Sequence, residues 1–364
     1  MVKIAGRSIG QGKPCFIIAE AGVNHNGDIK LAKKLIDVAR AAGADAVKFQ
    51  TFKTEEVIIP GAEKAKYQQE TTGAGESQFD MARKLELTAR EFGELSNYAK
   101  AKGILFLSTP DDTGSVDLLD ELGVPAFKIG SGEVTNFPLL QYIAGKKKPV
   151  ILSTGMSTLE EIGKALEVIR GGGVKDIVLL HCVTSYPAKI EDTNLRAMET
   201  IRRAFKLPVG LSDHTLGITI PITAVALGAC VIEKHFTLDK NLPGPDHKAS
   251  LEPEELRLMV KAIRDVEKAM GDGTKKPTPE EEEIKKVVRR SIVAKVDIPG
   301  AATISREMLN ARRPGTGIEP GYMDMVTGKK ARRSIKKDTI LTWDMIQNGN
   351  KNQKKSLRRN RHQS

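Results

Sequence analysis

Two histidines raise the question of chemistry. His214 stands in Gly-Leu-Ser-Asp-His-Thr-Leu-Gly (210–217) and His235 in Ile-Glu-Lys-His-Phe-Thr (232–237), each closing an apolar run. Singly, such a histidine reads as a core side chain satisfied by one hydrogen bond. Together on one rim, the two read as nitrogen ligands of an incomplete metal shell that substrate and water would complete, the open geometry that Lewis-acid chemistry needs. Other apolar runs end in matching groups. Lys48 and Lys128 fall among the hydroxyls of Thr109, Ser131, Ser153 and Ser212 and beside the glycine-rich turns Ile-Gly-Ser-Gly-Glu and Leu-Ser-Thr-Gly-Met. That composition suits an oxyanion such as phosphate. Glutamates at such ends, Glu20 and Glu133 among them, add acid–base capacity.

The elements that must position these groups are eight short β-branched runs. They cover residues 15–22, 46–51, 104–110, 126–133, 150–156, 177–183, 209–213 and 231–236. Each is nearly continuously apolar at its start, as a strand covered on both faces must be. The stretches between them carry helix signals: a Ser-x-x-Glu capping box opening 157–170, and Pro253 in the first turn of 252–271. Eight strand–helix units over about 250 residues predict an α/β fold of the (β/α)8 barrel type. An open doubly wound sheet is the alternative, but no G-x-G-x-x-G follows the first strand.

A barrel builds its site at the carboxyl ends of its strands. There the sequence offers Glu20, Asn24, His25, Lys48, Gln50, Ser108, Thr109 and Lys128, then Ser131, Glu133, Ser153 and Thr154. The later strands add His181, Thr184, Ser185, Tyr186, Ser212, Asp213, His214, Glu233, Lys234 and His235. Buried polar groups need partners, so eight polar ends converging on one rim read as a site. Residues 53–87 are too long for a plain connection and read as a partial lid.

The whole chain divides into 1–272, the barrel; 273–290, a charged linker; 291–349, a small turn-rich domain; and 350–364, a basic disordered tail. That tail carries six Lys/Arg and no acid, so it supplies most of the net +11 charge. One Trp, five Tyr and no aromatic–basic interleaving argue against nucleic acid as a partner. No apolar stretch is long enough to span a bilayer, and the first fifteen residues lack a signal-peptide core. Cys15, Cys182 and Cys230 fit no zinc or redox spacing; they fall in the expected strands and read as small buried hydrophobes of a reducing cytoplasm.

Several motifs resemble the sialic acid synthases: FIIAEAGVNHNGD, VKFQTF, KIGSGE, ILSTGMS, HCVTSYP, GLSDHTLG, VIEKHFTLDKNLPGPDHKASLEP and RRPGTGI, spanning about residues 3–345. These nonulosonate synthases condense phosphoenolpyruvate with an N-acetylated mannose-type sugar. The resemblance implies a barrel followed by an antifreeze-like SAF domain, and a homodimer in which that domain is swapped.

It implies roles as well. His214 and His235 would hold a divalent cation, Mn2+ first, with Mg2+ or Co2+ as alternatives. Lys48, Thr109 and Ser131 would hold the phosphoenolpyruvate carboxylate, and Lys128, Ser153 and Ser212 its phosphate. Glu20, Tyr186 and Asp246 would face the sugar, with Glu133 near the carbon that water attacks. Thr184 belongs to the same substrate contacts and departs from the Asn of the neuraminate-specific members. Arg313 would reach into a partner subunit's barrel. The loop at 66–87 and HCVTSYPA look closer to the legionaminate-type synthases, so the sugar is N-acetylmannosamine or 2,4-diacetamido-2,4,6-trideoxymannose. A heptulosonate-type synthase and a non-enzymatic carbohydrate- or nucleic-acid-binding protein are the competing expectations.

Overall fold

A computed structural model describes residues 1–347, so the basic tail and the last two residues assigned to the small domain lie outside the described residues. The chain separates into two compact units, Met1–Asp272 and the part from Gly273 onward.

The first unit opens with an antiparallel hairpin, β1 (Val2–Ile4) and β2 (Arg7–Ile9). Eight parallel strands follow. They are β3 (Phe16–Gly22), β4 (Ala46–Thr51), β5 (Leu105–Pro110), β6 (Phe127–Ile129), β7 (Val150–Ser153), β8 (Ile177–Cys182), β9 (Val209–Asp213) and β10 (Val231–His235). Their order is β5-β4-β3-β10-β9-β8-β7-β6, and the two end strands lie against each other, so the barrel is nearly closed.

The crossovers are helical. After β3 comes α1 (Ile29–Ala42), and between β4 and β5 come α2 (Thr54–Val57), α3 (Lys66–Thr72), α4 (Gln78–Arg83) and α5 (Ala89–Lys102). The rest are α6 (Thr113–Glu121), α7 (Phe137–Gly145), α8 (Leu159–Gly171), α9 (Ala197–Phe205), α10 (Thr219–Ala226) and α11 (Pro253–Met270).

Strand alternation divides the side chains into two cores. The outward set, including Ile17, Val47, Phe106, Phe127, Leu152, Leu179, Leu211 and Ile232, packs against the helices. The inward set starts apolar, with Ile18, Ala46, Leu107, Ala126, Ile151, Leu180 and Val231, and is joined by Val2, Ile4 and Ile9 of the hairpin. The hairpin, which no sequence signal announced, thus closes the amino end of the barrel. Two residues further along, the same inward face turns polar on every strand but β8, where Cys182 follows Leu180. One glycine is forced by this geometry: a Cβ on Gly210 would lie 2.3 Å from the Val231 carbonyl oxygen and 2.8 Å from a Leu180 methyl.

Three expectations shift. The strand expected over 126–133 stops at Ile129, and Ser131–Glu133 form a 3-10 turn between glycines instead. The capping box of α8 is Thr158/Glu161 rather than Ser157/Glu160, because the Ser157 hydroxyl donates to the Gly155 carbonyl (3.1 Å). Cys15 and Cys230 sit one residue ahead of β3 and β10, while Cys182 ends β8; all three are buried free thiols.

In the second unit α12 (Pro279–Val288) occupies much of the expected linker, capped by Thr278 and Glu281. Strand β11 (Ser291–Ala294) pairs antiparallel with β12 (Leu309–Arg312), and α13 (Met323–Val326) completes the unit. Ile292, Ile304, Ile318, Val326 and Leu341 form its own buried core. No helix among the described residues is long and apolar enough to cross a membrane.

Candidate active site

The inward-facing residues at the strand ends close around a cavity of about 180 Å³, lined among others by Glu20, Lys48, Thr109, Lys128, Ser131, Ser153, Thr184, Tyr186, Ser212, His214 and His235. Alternation explains the selection. On β10, Glu233 and His235 face the cavity, while Lys234 between them points outward, ion-paired with Asp213 at 2.6 Å.

The floor is a charge network. The Lys48 ammonium donates to Thr109 Oγ1 at 2.8 Å, lies 2.8 Å from Glu20 Oε2 and 3.7 Å from Glu233 Oε2. Lys128 lies 3.3 Å from Glu233 Oε1, which also accepts from Ser212 Oγ at 2.8 Å. Burial opposes both carboxylates. At Glu20 it prevails over Lys48 and pushes the carboxyl up, whereas at Glu233 the two lysines prevail and hold it well below the usual range. Two cations against one firmly ionised carboxylate leave the pocket receptive to an anion. The wall is a tight cradle: Gly155 N–H donates to Ser131 Oγ at 2.9 Å, and a Cβ there would lie 2.2 Å from Thr184 Oγ1. Ser153 Oγ is buried without a hydrogen-bond partner, an uncommon state that a bound ligand would relieve.

Above the network the rings of His214 and His235 stand 5.5 Å apart, with Tyr186 4.0 Å from the first and 5.6 Å from the second. Nδ1 of His214 donates to the Val183 carbonyl at 2.8 Å, so in the neutral form Nε2 carries the free lone pair; the neighbouring Cys182 raises the pKa of this ring against its burial. His235 Nδ1 is buried and unpartnered, 4.0 Å from Asp246 Oδ2. Burial, then the neighbouring His214, holds His235 far below its ordinary pKa and hence neutral, the form that ligates metals. The pair supplies two donors; among the described residues no group of three or more His, Cys, Asp or Glu converges as a metal shell.

A second cavity, also about 180 Å³, adjoins the first beneath α2–α4. Tyr67, Val57, Ile58 and Met81 come from the lid, and Phe52, Gln50, Asp111, Tyr186 and Asp246 from the barrel rim. Tyr67 and Tyr186 stack at 5.1 Å. Burial raises Asp246 to about 6, with His214 offsetting part of the shift. Burial and then Glu133 raise Asp111 to about 7. The expected partial lid is therefore three short helices roofing this cavity.

The structure places the assigned residues unevenly. Glu20, Lys48, Thr109, Lys128, Ser131, Ser153, Thr184, Tyr186, Ser212, His214 and His235 share the first cavity; Asp246 joins Tyr186 in the second. Glu133 lines neither; it sits in the turn after β6, and its Oε2 accepts from Asn136 at 2.6 Å. Arg313 belongs to the second unit, where it follows β12 and is exposed. The remaining rim histidines line neither cavity: His25 Nδ1 accepts from Gly27 N–H while its Nε2 is buried without a hydrogen-bond partner, and His181 Nε2 donates to the Thr193 carbonyl at 2.7 Å. Sequence reasoning passed over Asp111 and gave Gln50 and Glu233 no role. All three follow from the inward alternation that selects Thr109, Lys48 and His235.

Comparison with known proteins defines the class. The NeuB family matches residues 35–275 and the SAF domain residues 289–347, so the chain is an enzyme that belongs to the NeuB family. The N,N'-diacetyllegionaminic acid synthase of Campylobacter jejuni is 54% identical over 331 residues, covering 90% of this chain and 99% of that protein. The protein of the same name from Legionella pneumophila is 49% identical over 342 residues, covering 93% and 96%. Among solved structures, an N-acetylneuraminic acid synthetase from Leptospira borgpetersenii aligns with a TM-score of 0.69 at 37% identity, covering 78% of this chain and 94% of that one.

Proposed function

We propose that this chain condenses phosphoenolpyruvate with an open-chain N-acetylated mannose-type sugar, giving a nine-carbon sialic-acid-type sugar and phosphate. One observation carries the reading: a cavity in which two buried lysines and six hydroxyls, that of Ser153 unpartnered, adjoin a histidine pair. The relatives named as diacetyllegionaminic acid synthases favour 2,4-diacetamido-2,4,6-trideoxymannose over N-acetylmannosamine.

In this reading Lys48, Thr109 and Ser131 hold the carboxylate of phosphoenolpyruvate, and Lys128, Ser153 and Ser212 its phosphate. Fixed donors need no rearrangement as charge shifts during reaction. Thr184 borders this cradle, and Glu20, Tyr186 and Asp246 orient the sugar with its aldehyde toward the histidines. C3 of phosphoenolpyruvate bonds to the sugar C1, which leaves an electron-poor C2. Water adds at C2, one of its protons passing to the former aldehyde oxygen and the other to the phosphate, which departs with the bridging oxygen; Glu133, expected to steer that water, lines neither cavity. The unpartnered His235 Nδ1 and the free Nε2 of His214 fit a divalent cation, Mn2+ in the first place, with Mg2+ or Co2+ as alternatives. When bound, it would polarise the aldehyde as a Lewis acid. Arg313, acting from the SAF domain of the other protomer in a homodimer, contacts the acetamido carbonyl.

The test is direct. Phosphate release and the mass of the product are followed with phosphoenolpyruvate, Mn2+ and each of the two sugars. Turnover with at least one sugar, lost on chelation and in His214→Ala or His235→Ala, is expected. Phosphoenolpyruvate left intact with both sugars would overturn the proposal.

A further inference from the structure

The two cavities have three lining side chains in common, Gln50, Asp111 and Tyr186. Asp111 and Asp112 are adjacent in sequence, yet their carboxylates are used differently. Asp112 is fully engaged: it caps α6 through Ser115 N–H at 2.7 Å and Ser115 Oγ at 2.6 Å, and accepts from Lys53 N–H at 2.9 Å. Asp111, whose own N–H is bonded to the Thr51 carbonyl, feels only burial and neighbouring charges at its carboxyl, with no hydrogen bond from a described residue. Alternation on β5 points it inward beyond Thr109, to where the two cavities meet. The side chain is half-buried and opens onto both cavities, so its carboxyl is free to meet a ligand bound there.

The rest of the second cavity agrees on what kind of ligand. Its lid side carries no charge: one wall is apolar, with Val57, Ile58, Met81 and Leu85, and Tyr67, Gln68 and Gln78 beside it are neutral, so the cavity's charged groups are Asp111 and Asp246. No lysine or arginine of the barrel unit lines it. The lid does carry cations, but they are engaged elsewhere. Lys64 and Lys84 pair with Glu76, Lys53 with Glu86 and Arg83 with Glu55; Lys66 is exposed and lines neither cavity.

We propose that Asp111 is a specificity-determining residue for the sugar. Its carboxylate accepts a hydrogen bond from an N–H or O–H on the half of the sugar remote from the aldehyde. The lid's apolar wall then receives an uncharged, methyl-terminated end, and a sugar phosphorylated at that end is excluded. The inference rests on the proposed condensation. The histidine pair fixes the aldehyde at the β9–β10 side of the barrel mouth, so the remote carbons extend toward β4, β5 and the lid. Like charges set face to face without a cation discriminate against the wrong ligand more strongly than one added contact favours the right one.

The experiment compares kcat/KM of the full-length Mn2+-loaded protein for 2,4-diacetamido-2,4,6-trideoxymannose, N-acetylmannosamine and N-acetylmannosamine 6-phosphate, at saturating phosphoenolpyruvate. The phosphorylated sugar should be poorer than N-acetylmannosamine by on the order of 100-fold. Asp111→Asn, nearly isosteric, should narrow that gap by on the order of tenfold and raise KM for the unphosphorylated sugars while leaving KM for phosphoenolpyruvate unchanged. Ile58→Lys, which brings a cation to the apolar wall, should narrow the gap independently. Comparable use of the phosphorylated and unphosphorylated sugars by the wild type overturns the inference alone. So does a parallel loss of both substrates' affinity in Asp111→Asn. Absence of phosphate release with every sugar overturns the condensation itself, and the inference with it.

Discussion

Lys48 and Lys128 show how one pocket tunes two like residues apart. Burial works against both ammonium groups, but Glu20 and Glu233 together overcome it at Lys48 and raise its pKa. At Lys128 burial prevails over the single nearby Glu233, and the pKa falls. Lys128 is therefore the cation with the more unmet demand for an anion. A charge-assisted contact is worth about 1.5–3 kcal/mol, so Lys128→Ala should raise KM for phosphoenolpyruvate roughly 10- to 100-fold and KM for the sugar much less. Steady-state kinetics with each substrate varied in turn checks this; equal losses would mark a merely structural lysine. Asp111 makes a different prediction. Its carboxyl is raised from the ordinary 3.8 to about 7, so the folded protein binds the proton more tightly than the unfolded chain. The stability this confers is complete below pH 4, declines through the window from about 4 to 7 and is absent above it. Asp111→Asn removes that dependence. Relative to wild type, the variant should gain on the order of 2 kcal/mol between pH 4 and pH 8, read by urea unfolding at the two pH values. An unchanged difference would show that Asp111 titrates alike in both states.

At the scale of elements, most of the barrel was legible because alternation writes it twice. Ile18 and Glu20, Leu107 and Thr109, and Val231 and Glu233 each place an apolar inward residue two positions before a polar one. The eight strands and the polar rim both follow from that pattern. What escaped has physical reasons. Residues 53–87 form helices of four, seven and six residues, too short to show a helical period. The turn at Ser131–Glu133 is set by its flanking glycines, not by the apolar run before it. Asp111 lay hidden beside Asp112 because nothing in the sequence separates a capping aspartate from one facing a cavity. Gly210 reads as an ordinary strand residue until its neighbours are seen. Gly210→Ala should destabilise the barrel by about 1–3 kcal/mol, since backbone of β10 and the Leu180 side chain occupy the added methyl's space. The midpoint of urea unfolding reports it; an unshifted midpoint would mean that β9 moves aside freely.

For the whole molecule, the open question is why a catalytic barrel carries a second unit. The barrel unit has its own closed core, sealed at one end by the β1–β2 hairpin, and the SAF unit has a separate core around Ile292, Ile304 and Leu341. Each unit thus has a core of its own, and folding alone does not account for their union. A role in catalysis would. In the proposed swapped homodimer, each site combines the barrel of one chain with Arg313 of the other, which makes the two defects separable. Arg313→Ala should raise the sugar KM and leave fold and Mn2+ binding unchanged. His235→Ala should retain a functional SAF unit on a dead barrel. After subunit exchange of equal amounts, half of the dimers are mixed, and each mixed dimer holds one site assembled from intact parts. The mixture should then recover about one quarter of wild-type activity at low sugar concentration, where either variant alone is nearly inactive. Recovery is impossible if each barrel is completed by its own SAF unit, because every site then contains one of the two lesions. A barrel truncated after Asp272 that retained full sugar affinity would remove the need for Arg313 altogether.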